Sequence, residues 1–231
     1  MVTNVLAHPP SEFATPGWVW SLQFVDHGRA LVSSDCNGSI RKWDTASWRE
    51  LPFPEIRFGH LTGFYRVSPL ISPDEGHLLV SDENGNVNVW NLTTSKLLQT
   101  APLHKWDIYK MHFSPDGKLL ASAADGIKLL HWPGLGHAGD LNVHTLANNG
   151  MAFSRDGQRI ASAGNGREGV KVSDVATLQE LVCFPGDTEF FWPMFSPDEK
   201  ILAAFKHPNQ LYLWRAPSME EIRSQERRTE R

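Results

Sequence analysis

The stretch Phe113-Ser114-Pro115-Asp116-Gly117 decides the fold, because variants of it recur along the chain. Pro presets φ at one corner of a turn, Asp hydrogen-bonds to its own backbone, and Gly accepts a positive φ. The stretch therefore predicts a hairpin turn between a strand that ends in Phe and a short apolar strand. Its other copies are Phe24-Val25-Asp26-His27-Gly28, Ile71-Ser72-Pro73-Asp74-Glu75, Phe153-Ser154-Arg155-Asp156-Gly157 and Phe195-Ser196-Pro197-Asp198-Glu199.

These copies divide the chain into five units, with spacings of 47, 42, 40 and 42 residues between their first residues. Within a unit, a turn such as Asn84-Gly85 leads to a third strand of alternating polarity, and a more polar fourth strand follows. Asn-Gly is a strong hairpin signal, and alternation turns one face of a strand inward. Four such strands cannot bury both faces of their sheet alone, whereas radial stacking does so. We therefore predict an all-β fold, a β-propeller of about five four-stranded antiparallel blades.

Composition and charge narrow the classes of partner. The chain has 231 residues, of which 41% are hydrophobic, so it can bury a substantial core. Its net charge of −4 argues against nucleic acid or an anionic membrane as the main partner. The N-terminal residues lack the basic and apolar regions of a signal peptide, and no apolar run reaches the ~20 residues of a membrane helix. We expect a soluble, cytoplasmic protein that binds neither nucleic acid nor membranes.

At these repeated positions the chain resembles the WD-repeat (WD40-type, G-beta repeat) family of β-propellers. Trp43-Asp44 ends the third strand of the first unit, and Gly59-His60 precedes the first strand of the second. The match covers residues 1–216, and the repeats are degenerate, like those of bacterial members. The histidine and the tryptophan of the family pattern also stand at other positions, His8, His104, His144, Trp90 and Trp214.

The resemblance implies structural roles for these residues. Proteins similar to this one link the histidine, a second-strand Ser, a turn Asp and the Trp in a buried hydrogen-bond network. No unit of this chain keeps all four residue types. The expected members are His8, Ser33, Asn37 and Trp43 in the first unit, His60 and Trp90 in the second, His104, Ser122 and Asp125 in the third, His144 in the fourth and Trp214 in the fifth.

The two ends of the chain suggest how the ring closes. The final unit has only three strands before Ala216-Pro217, and residues 2–7 resemble a fourth strand. We expect residues 2–7 to complete the last blade within a propeller domain of residues 1–216, since closure removes unpaired edges. If the ring is instead incomplete, the chain is a fragment or an oligomer. Residues 217–231 are expected to form a charged tail with a short helix at about 218–228, because Ser218 and Glu221 form a capping box.

Large aromatic residues precede or begin the first strands of the units. The resemblance implies that these segments form one face of the ring, where aromatics bury much area on binding. Packing between blades is the alternative explanation for each of them. The candidate partner-binding residues are Trp18, Trp20, Tyr65, Trp106, Phe190 and Trp192.

The sequence favours a binding function over catalysis. The aspartates of the recurrent motif occupy turns, and the repeated histidines occupy structural positions, so we expect no catalytic residue, no cofactor and no metal site. The chain is predicted to be a non-catalytic scaffold that presents propeller loops to a protein or peptide. The alternatives are a propeller enzyme of the hydrolase or lactonase type with a channel site, and the sensor or regulatory segment of a larger polypeptide such as a kinase fusion.

Overall fold

Five antiparallel sheets make up the structure, a computed structural model that describes residues 19–35, 39–56, 69–145 and 148–216. These residues form nineteen β-strands and two short 3-10 turns, Asp26–Gly28 and Gly166–Glu168. In every sheet, strands that are consecutive in sequence are hydrogen-bonded neighbours. The predicted all-β propeller of about five blades is confirmed.

The first two blades begin at successive copies of the repeat. Blade 1 contains β1 (Val19–Val25), β2 (Ala30–Asp35), β3 (Ile40–Asp44) and β4 (Glu50–Leu51). Blade 2 contains β5 (Leu70–Ile71), β6 (His77–Ser81), β7 (Asn86–Asn91) and β8 (Lys96–Pro102).

The remaining blades follow the same order. Blade 3 contains β9 (Lys110–Phe113), β10 (Leu119–Ala123), β11 (Ile127–His131) and β12 (Gly136–Leu141). Blade 4 contains β13 (Asn148–Phe153), β14 (Arg159–Gly164), β15 (Val170–Asp174) and β16 (Glu180–Phe184). Blade 5 has three strands among the described residues, β17 (Phe190–Phe195), β18 (Ile201–Lys206) and β19 (Gln210–Arg215).

Two expectations about the chain ends lie outside the described residues. These are the closing strand at residues 2–7 and the short helix at about 218–228 within the tail of residues 217–231. The division into a propeller of residues 1–216 and a tail therefore stays a prediction. Within the described ranges, no helix has the length and apolarity that a membrane crossing requires.

The recurrent motif forms the turn between the first two strands of a blade. In blade 3, Ser114 Oγ donates to Asp116 Oδ1 at 2.7 Å and accepts from the backbone N–H of Leu119 at 2.9 Å. The backbone N–H of Gly117 donates to the carbonyl of Ser114 at 2.8 Å. The serine thus connects both sides of the turn, a role that the sequence analysis assigned to the aspartate alone.

Four hydrophobic clusters join consecutive blades. Leu78 and Val80 of blade 2 pack against Val25 and Val32 of blade 1, and the other interfaces repeat this arrangement. The remaining clusters join blades 2 and 3, blades 3 and 4, and blades 4 and 5. Within the described ranges, no cluster joins blade 5 to blade 1.

The outer faces of the two terminal blades are accordingly exposed. Leu22 and Phe24 of β1 lie on the face of blade 1 that points away from blade 2, and both are exposed. Leu211 and Leu213 of β19 are exposed on the corresponding face of blade 5, whereas the neighbouring Trp214 packs toward blade 4. Among the residues that the structure describes, none covers the outer apolar face of either terminal blade.

We predict very different costs for two leucine truncations. Leu120→Ala removes a side chain that is 0% exposed between blades 2 and 3 and should lower the free energy of unfolding by about 2–5 kcal/mol. Leu211→Ala removes one that is 68% exposed and should cost less than about 1 kcal/mol. Chemical denaturation measures both values, and equal losses would mean that blade 5 is covered in solution.

Candidate functional site

A buried histidine fixes the loop between β8 and β9, at the start of blade 3. Its ring contacts two polar side chains: Asp125 Oδ1 lies 2.6 Å from His104 Nδ1, and Ser122 Oγ lies 2.8 Å from His104 Nε2. Ser122 belongs to β10, and Asp125 lies in the turn between β10 and β11. The loop is therefore attached to two elements of blade 3 by side-chain hydrogen bonds.

The electrostatics of this network set the direction of its hydrogen bonds. Burial lowers the pKa of His104, although the hydrogen bond and the charge of Asp125 oppose this effect. Burial alone would raise the pKa of Asp125, but the hydrogen bond and the charge of His104 outweigh it, and the pKa is lowered. An ionised carboxylate only accepts, so Nδ1 of the neutral imidazole donates to Asp125 and Nε2 accepts from the Ser122 hydroxyl.

The same loop is held from the other side by blade 2. The backbone N–H groups of Leu103 and His104 both donate to the carbonyl of Gly85, at 3.1 and 3.0 Å. Gly85 has a φ of +74°, and a Cβ at this position would lie 2.4 Å from the His104 carbonyl oxygen and 2.7 Å from that of Trp106. Only glycine permits this approach, so the Asn84-Gly85 turn and the β8–β9 loop form one unit.

Trp106 projects from this fixed loop into solvent. Its side chain is 67% exposed, and Tyr109 is also exposed, whereas Ile108 between them is buried in the cluster that joins blades 2 and 3. The backbone N–H of Tyr109 donates to Ala123 of β10 at 2.9 Å. A rigid segment thus holds two exposed aromatic side chains, which lose little entropy when a partner covers them.

Carboxylates of blade 2 lie near the loop that carries Trp106. The pKa of Asp107 is raised, first by burial and then by the nearby carboxylates of Glu83 and Asp82. Burial alone would raise the pKa of Asp82, but hydrogen bonds from Asn86 and from the backbone of Asn84 outweigh it and lower the value. The Trp106 loop, defined as residues 103–109, therefore carries a negative electrostatic potential on the side of blade 2.

We predict that Gly85→Ala displaces the Trp106 loop. The new Cβ would enter the space of two backbone carbonyls at a positive φ, which should cost roughly 1–3 kcal/mol of stability. Chemical denaturation and Trp fluorescence measure the two effects. Gly134→Ala is the matched control, because a Cβ there meets nothing within 4 Å. Equal behaviour of the two variants would contradict this account of the loop.

The two candidate aromatics of blade 5 differ in the exposure of their side chains. Trp192 is 56% exposed at a bulge between Phe191 and Met194, and its ring lies 5.9 Å from that of Phe205. Phe190 is buried in the cluster between blades 4 and 5, so its side chain is not offered to a partner. This placement corrects the expectation for Phe190, which belongs to the core.

The structure does not describe the side chains of the other candidate aromatics. Trp18 and Tyr65 lie outside the described residues, and for Trp20 the description covers only the backbone, within β1. Trp106 and Trp192 are therefore the two predicted binding residues whose side chains are exposed among the described residues. They lie in different blades, Trp106 in a loop between blades 2 and 3 and Trp192 within the first strand of blade 5.

Blade 4 contains a variant of the histidine network that the sequence analysis missed. His144 Nε2 lies 2.9 Å from Ser162 Oγ, as in blade 3, but the acidic neighbour of Nδ1 is Glu168, at 3.6 Å. Glu168 Oε1 also accepts from the backbone N–H of Thr145 at 2.6 Å. The sequence feature that could have revealed Glu168 is its acidic side chain in the Gly-rich connection between β14 and β15.

We predict an acid-sensitive contribution from His144. Burial lowers its pKa to about 4 against a smaller opposing effect of Glu168, so the unfolded chain binds this proton more readily than the folded protein. The stability that neutral His144 confers is complete above a pH of about 6.5 and is lost as the pH falls toward 4. Between pH 7 and 5 this loss should approach about 2 kcal/mol, measured by chemical denaturation.

The pH dependence of unfolding in a His144 variant tests this assignment to His144. His144→Asn should reduce the pH dependence of the free energy of unfolding, whatever its effect at pH 7. An identical pH slope in wild type and His144→Asn would contradict the assignment.

The other repeat positions also have structural surroundings. Trp43 Nε1 donates to Ser33 Oγ at 2.7 Å in blade 1. Trp90 packs against the cluster between blades 1 and 2, and Trp214 packs at blade 4, stacked 4.8 Å from Phe184. His8, Asn37 and His60 lie outside the described residues.

No metal centre is formed by the residues that the structure describes, since no three His, Cys, Asp or Glu side chains there are close enough to hold an ion. His137 Nε2 instead lies 3.1 Å from Asp140 Oδ2, and Asp140 Oδ1 accepts from Lys128 Nζ at 3.4 Å, so these side chains form an ordinary ion-pair cluster. The clearest candidate site is therefore the Trp106 loop, a surface for contact.

Parts of the chain are similar to WD-repeat proteins. The model for the WD domain, G-beta repeat, matches residues 8–44 and 95–127. WD repeat-containing protein VIP3 of Arabidopsis thaliana is 32% identical over 51% of this chain and 38% of its own length. WD repeat-containing protein SL1-17 of Schistosoma mansoni is 26% identical over 68% of this chain and 57% of its own.

A further relative is named for membership of a complex. The Target of rapamycin complex subunit LST8 of Rattus norvegicus is 26% identical over 52% of this chain and 36% of its own length. The chain thus spans 36–57% of the length of these three curated relatives. Residues 8–44 and 95–127 are thus similar to WD repeats, and the five antiparallel blades and the histidine–serine contacts of the described residues agree with that similarity.

Proposed function

We propose that this chain is a non-catalytic scaffold that binds a protein or peptide through the loops at one end of its blades. The observation that carries the proposal is Trp106, a large aromatic that is 67% exposed on a loop fixed from two blades. Burying an aromatic on a rigid segment yields much binding free energy at a low entropic cost. Tyr109 on the same loop enlarges the surface.

The electrostatics of the loop define what its partner should carry. Asp107 follows Trp106 in the chain, and the carboxylates of Asp82 and Glu83 lie near that of Asp107. A partner segment with an apolar or aromatic residue next to Lys or Arg would complement this surface, since opposite potentials favour and orient association. A cation over the indole would add a further attraction. The proposed partner is therefore a protein or peptide with a basic, apolar contact segment.

The relatives are consistent with this role. One of them is named as a subunit of a complex, and two are named only as WD repeat-containing proteins. A scaffold of this kind functions by presenting a fixed surface, which the hydrogen-bonded loops of blades 2 and 3 supply.

Trp106→Ala should abolish partner capture while leaving the fold intact. The change removes an exposed side chain, so thermal unfolding should stay close to that of wild type. Affinity should fall by about thirtyfold or more if Trp106 is a hot spot. The captured proteins are measured by affinity capture from extracts of cells that naturally contain this protein, with quantification by mass spectrometry. Direct titration of each captured protein then measures the affinity.

Trp48→Ala is the matched control. Trp48 is also exposed, but it lies in the turn between β3 and β4, at the end of the blades opposite to the loops that enter first strands. The Trp48→Ala variant should capture the same proteins as wild type. Equal capture by wild type and Trp106→Ala, or equal loss in both variants, would contradict the proposed surface.

A further inference from the structure

A cavity opens between the first strands of blades 1, 2 and 3. Its volume is about 300 Å³, enough for several heavy atoms of a ligand. Residues 21–23 of β1, residues 69–71 and Pro73 around β5, and residues 110–113 of β9 line it. We call it the channel cavity, because first strands of neighbouring blades face one another there.

The walls of the channel cavity are mostly apolar, and two of its polar side chains already have partners. Gln23 bridges to blade 2, where its Oε1 accepts from Ile71 N–H at 2.8 Å and its Nε2 donates to the Ile71 carbonyl at 2.9 Å. Ser21 Oγ donates to the carbonyl of Pro69 at 3.4 Å. These groups connect the blades, and they are not free to bind a ligand.

Lys110 and His112 are the remaining polar side chains of the cavity. Burial lowers the pKa of Lys110, and burial together with the charge of Lys110 lowers the pKa of His112 to about 4. His112 is thus neutral near pH 7, while Lys110 carries the charge. Within the described residues, neither side chain has a hydrogen-bond or ion-pair partner.

Lys110 has no counter-charge among the described residues, and this defines the chemistry of a ligand for the largely apolar cavity. Removing a charge from water is costly unless an opposite charge meets it, so a ligand with a carboxylate would offset the burial of Lys110. The apolar wall, with Leu22, Leu70, Met111 and Phe113, would cover the carbon atoms of that ligand. His112 can contribute one further N–H.

We propose that the channel cavity is a binding site for a carboxylate attached to an apolar group, with Lys110 as its counter-ion. The inference rests on the proposed function in one respect: it assigns the carboxylate to the protein or peptide partner. Lys110 begins β9 directly after the Trp106 loop. The Trp106 loop and the β9 wall of the cavity are therefore consecutive in the chain.

The test uses small probes of matched shape. N-acetyl-leucine carries the proposed carboxylate as a chain end, N-acetyl-leucinamide lacks the charge, and N-acetyl-glutamate amide carries it on a side chain. The readout is the methyl resonance of Met111, which lines the cavity. The leucine acid should bind about tenfold more tightly than its amide, since a hydrogen bond to a charged group is strong. The glutamate probe distinguishes a side-chain carboxylate from a chain end.

Lys110→Met keeps the apolar stem and removes the charge, so it should weaken binding of the acid by about tenfold and leave the amide unchanged. Lys118→Met, at an exposed lysine in the turn between β9 and β10, should bind the acid as wild type does. Lys110→Arg should retain binding. If Lys110→Met does not fold, the comparison of acid and amide on wild type decides the question.

Three outcomes would overturn the proposal: no shift of Met111 with either acid, equal affinity for acid and amide, or undiminished binding by a folded Lys110→Met. These results are independent of Trp106. If the probes bind in a way that depends on Lys110 but Trp106→Ala still captures the partner, the proposed Trp106 surface is refuted and the carboxylate site is not. Loss of capture in Trp106→Ala with no probe binding would refute the carboxylate site alone.

Discussion

Burial of both faces of each small sheet is the constraint on which this structure depends. A four-stranded sheet with apolar residues on two sides gains little stability alone, because one side always meets water. Each interior blade of this chain solves the problem with two neighbours, and the four clusters between blades are the result. The recurrent Ser-Pro-Asp turn makes this possible, because it reverses the chain in a few residues and keeps every strand short.

Polar contacts then determine where the loops lie, because the clusters alone do not specify them. His104 connects its loop to the second strand and to a turn of the same blade, and the Gly85 carbonyl holds the loop from blade 2. Buried polar groups are costly when unpaired, so the loop has one favourable position. The exposed indole of Trp106 is consequently presented by a framework that need not reorganise on binding.

The fold could be predicted from the sequence because its signals are local and repeated. Turn residues at spacings of 40–47 residues sufficed to predict the five blades. The network of His104, Ser122 and Asp125 was implied by the resemblance to the WD-repeat family and not by the spacing alone. Trp192 and Phe190 were not separable, because a bulge in β17 changes which residues face the neighbour. Glu168 was missed because the 3-10 turn Gly166–Glu168 shifts the acidic residue relative to its histidine. The channel cavity depends on three strands distant in sequence, and no local pattern indicates it.

The single covered face of each terminal blade implies a gradient of local stability along the chain. In a linear array of neighbouring units, the free energy of opening one unit grows with the number of interfaces that hold it. Blades 2, 3 and 4 have two such interfaces among the described residues, and blades 1 and 5 have one. Amide hydrogens of the outermost sheets should therefore exchange before those of β10 and β14, and partial unfolding should proceed from both ends toward the middle.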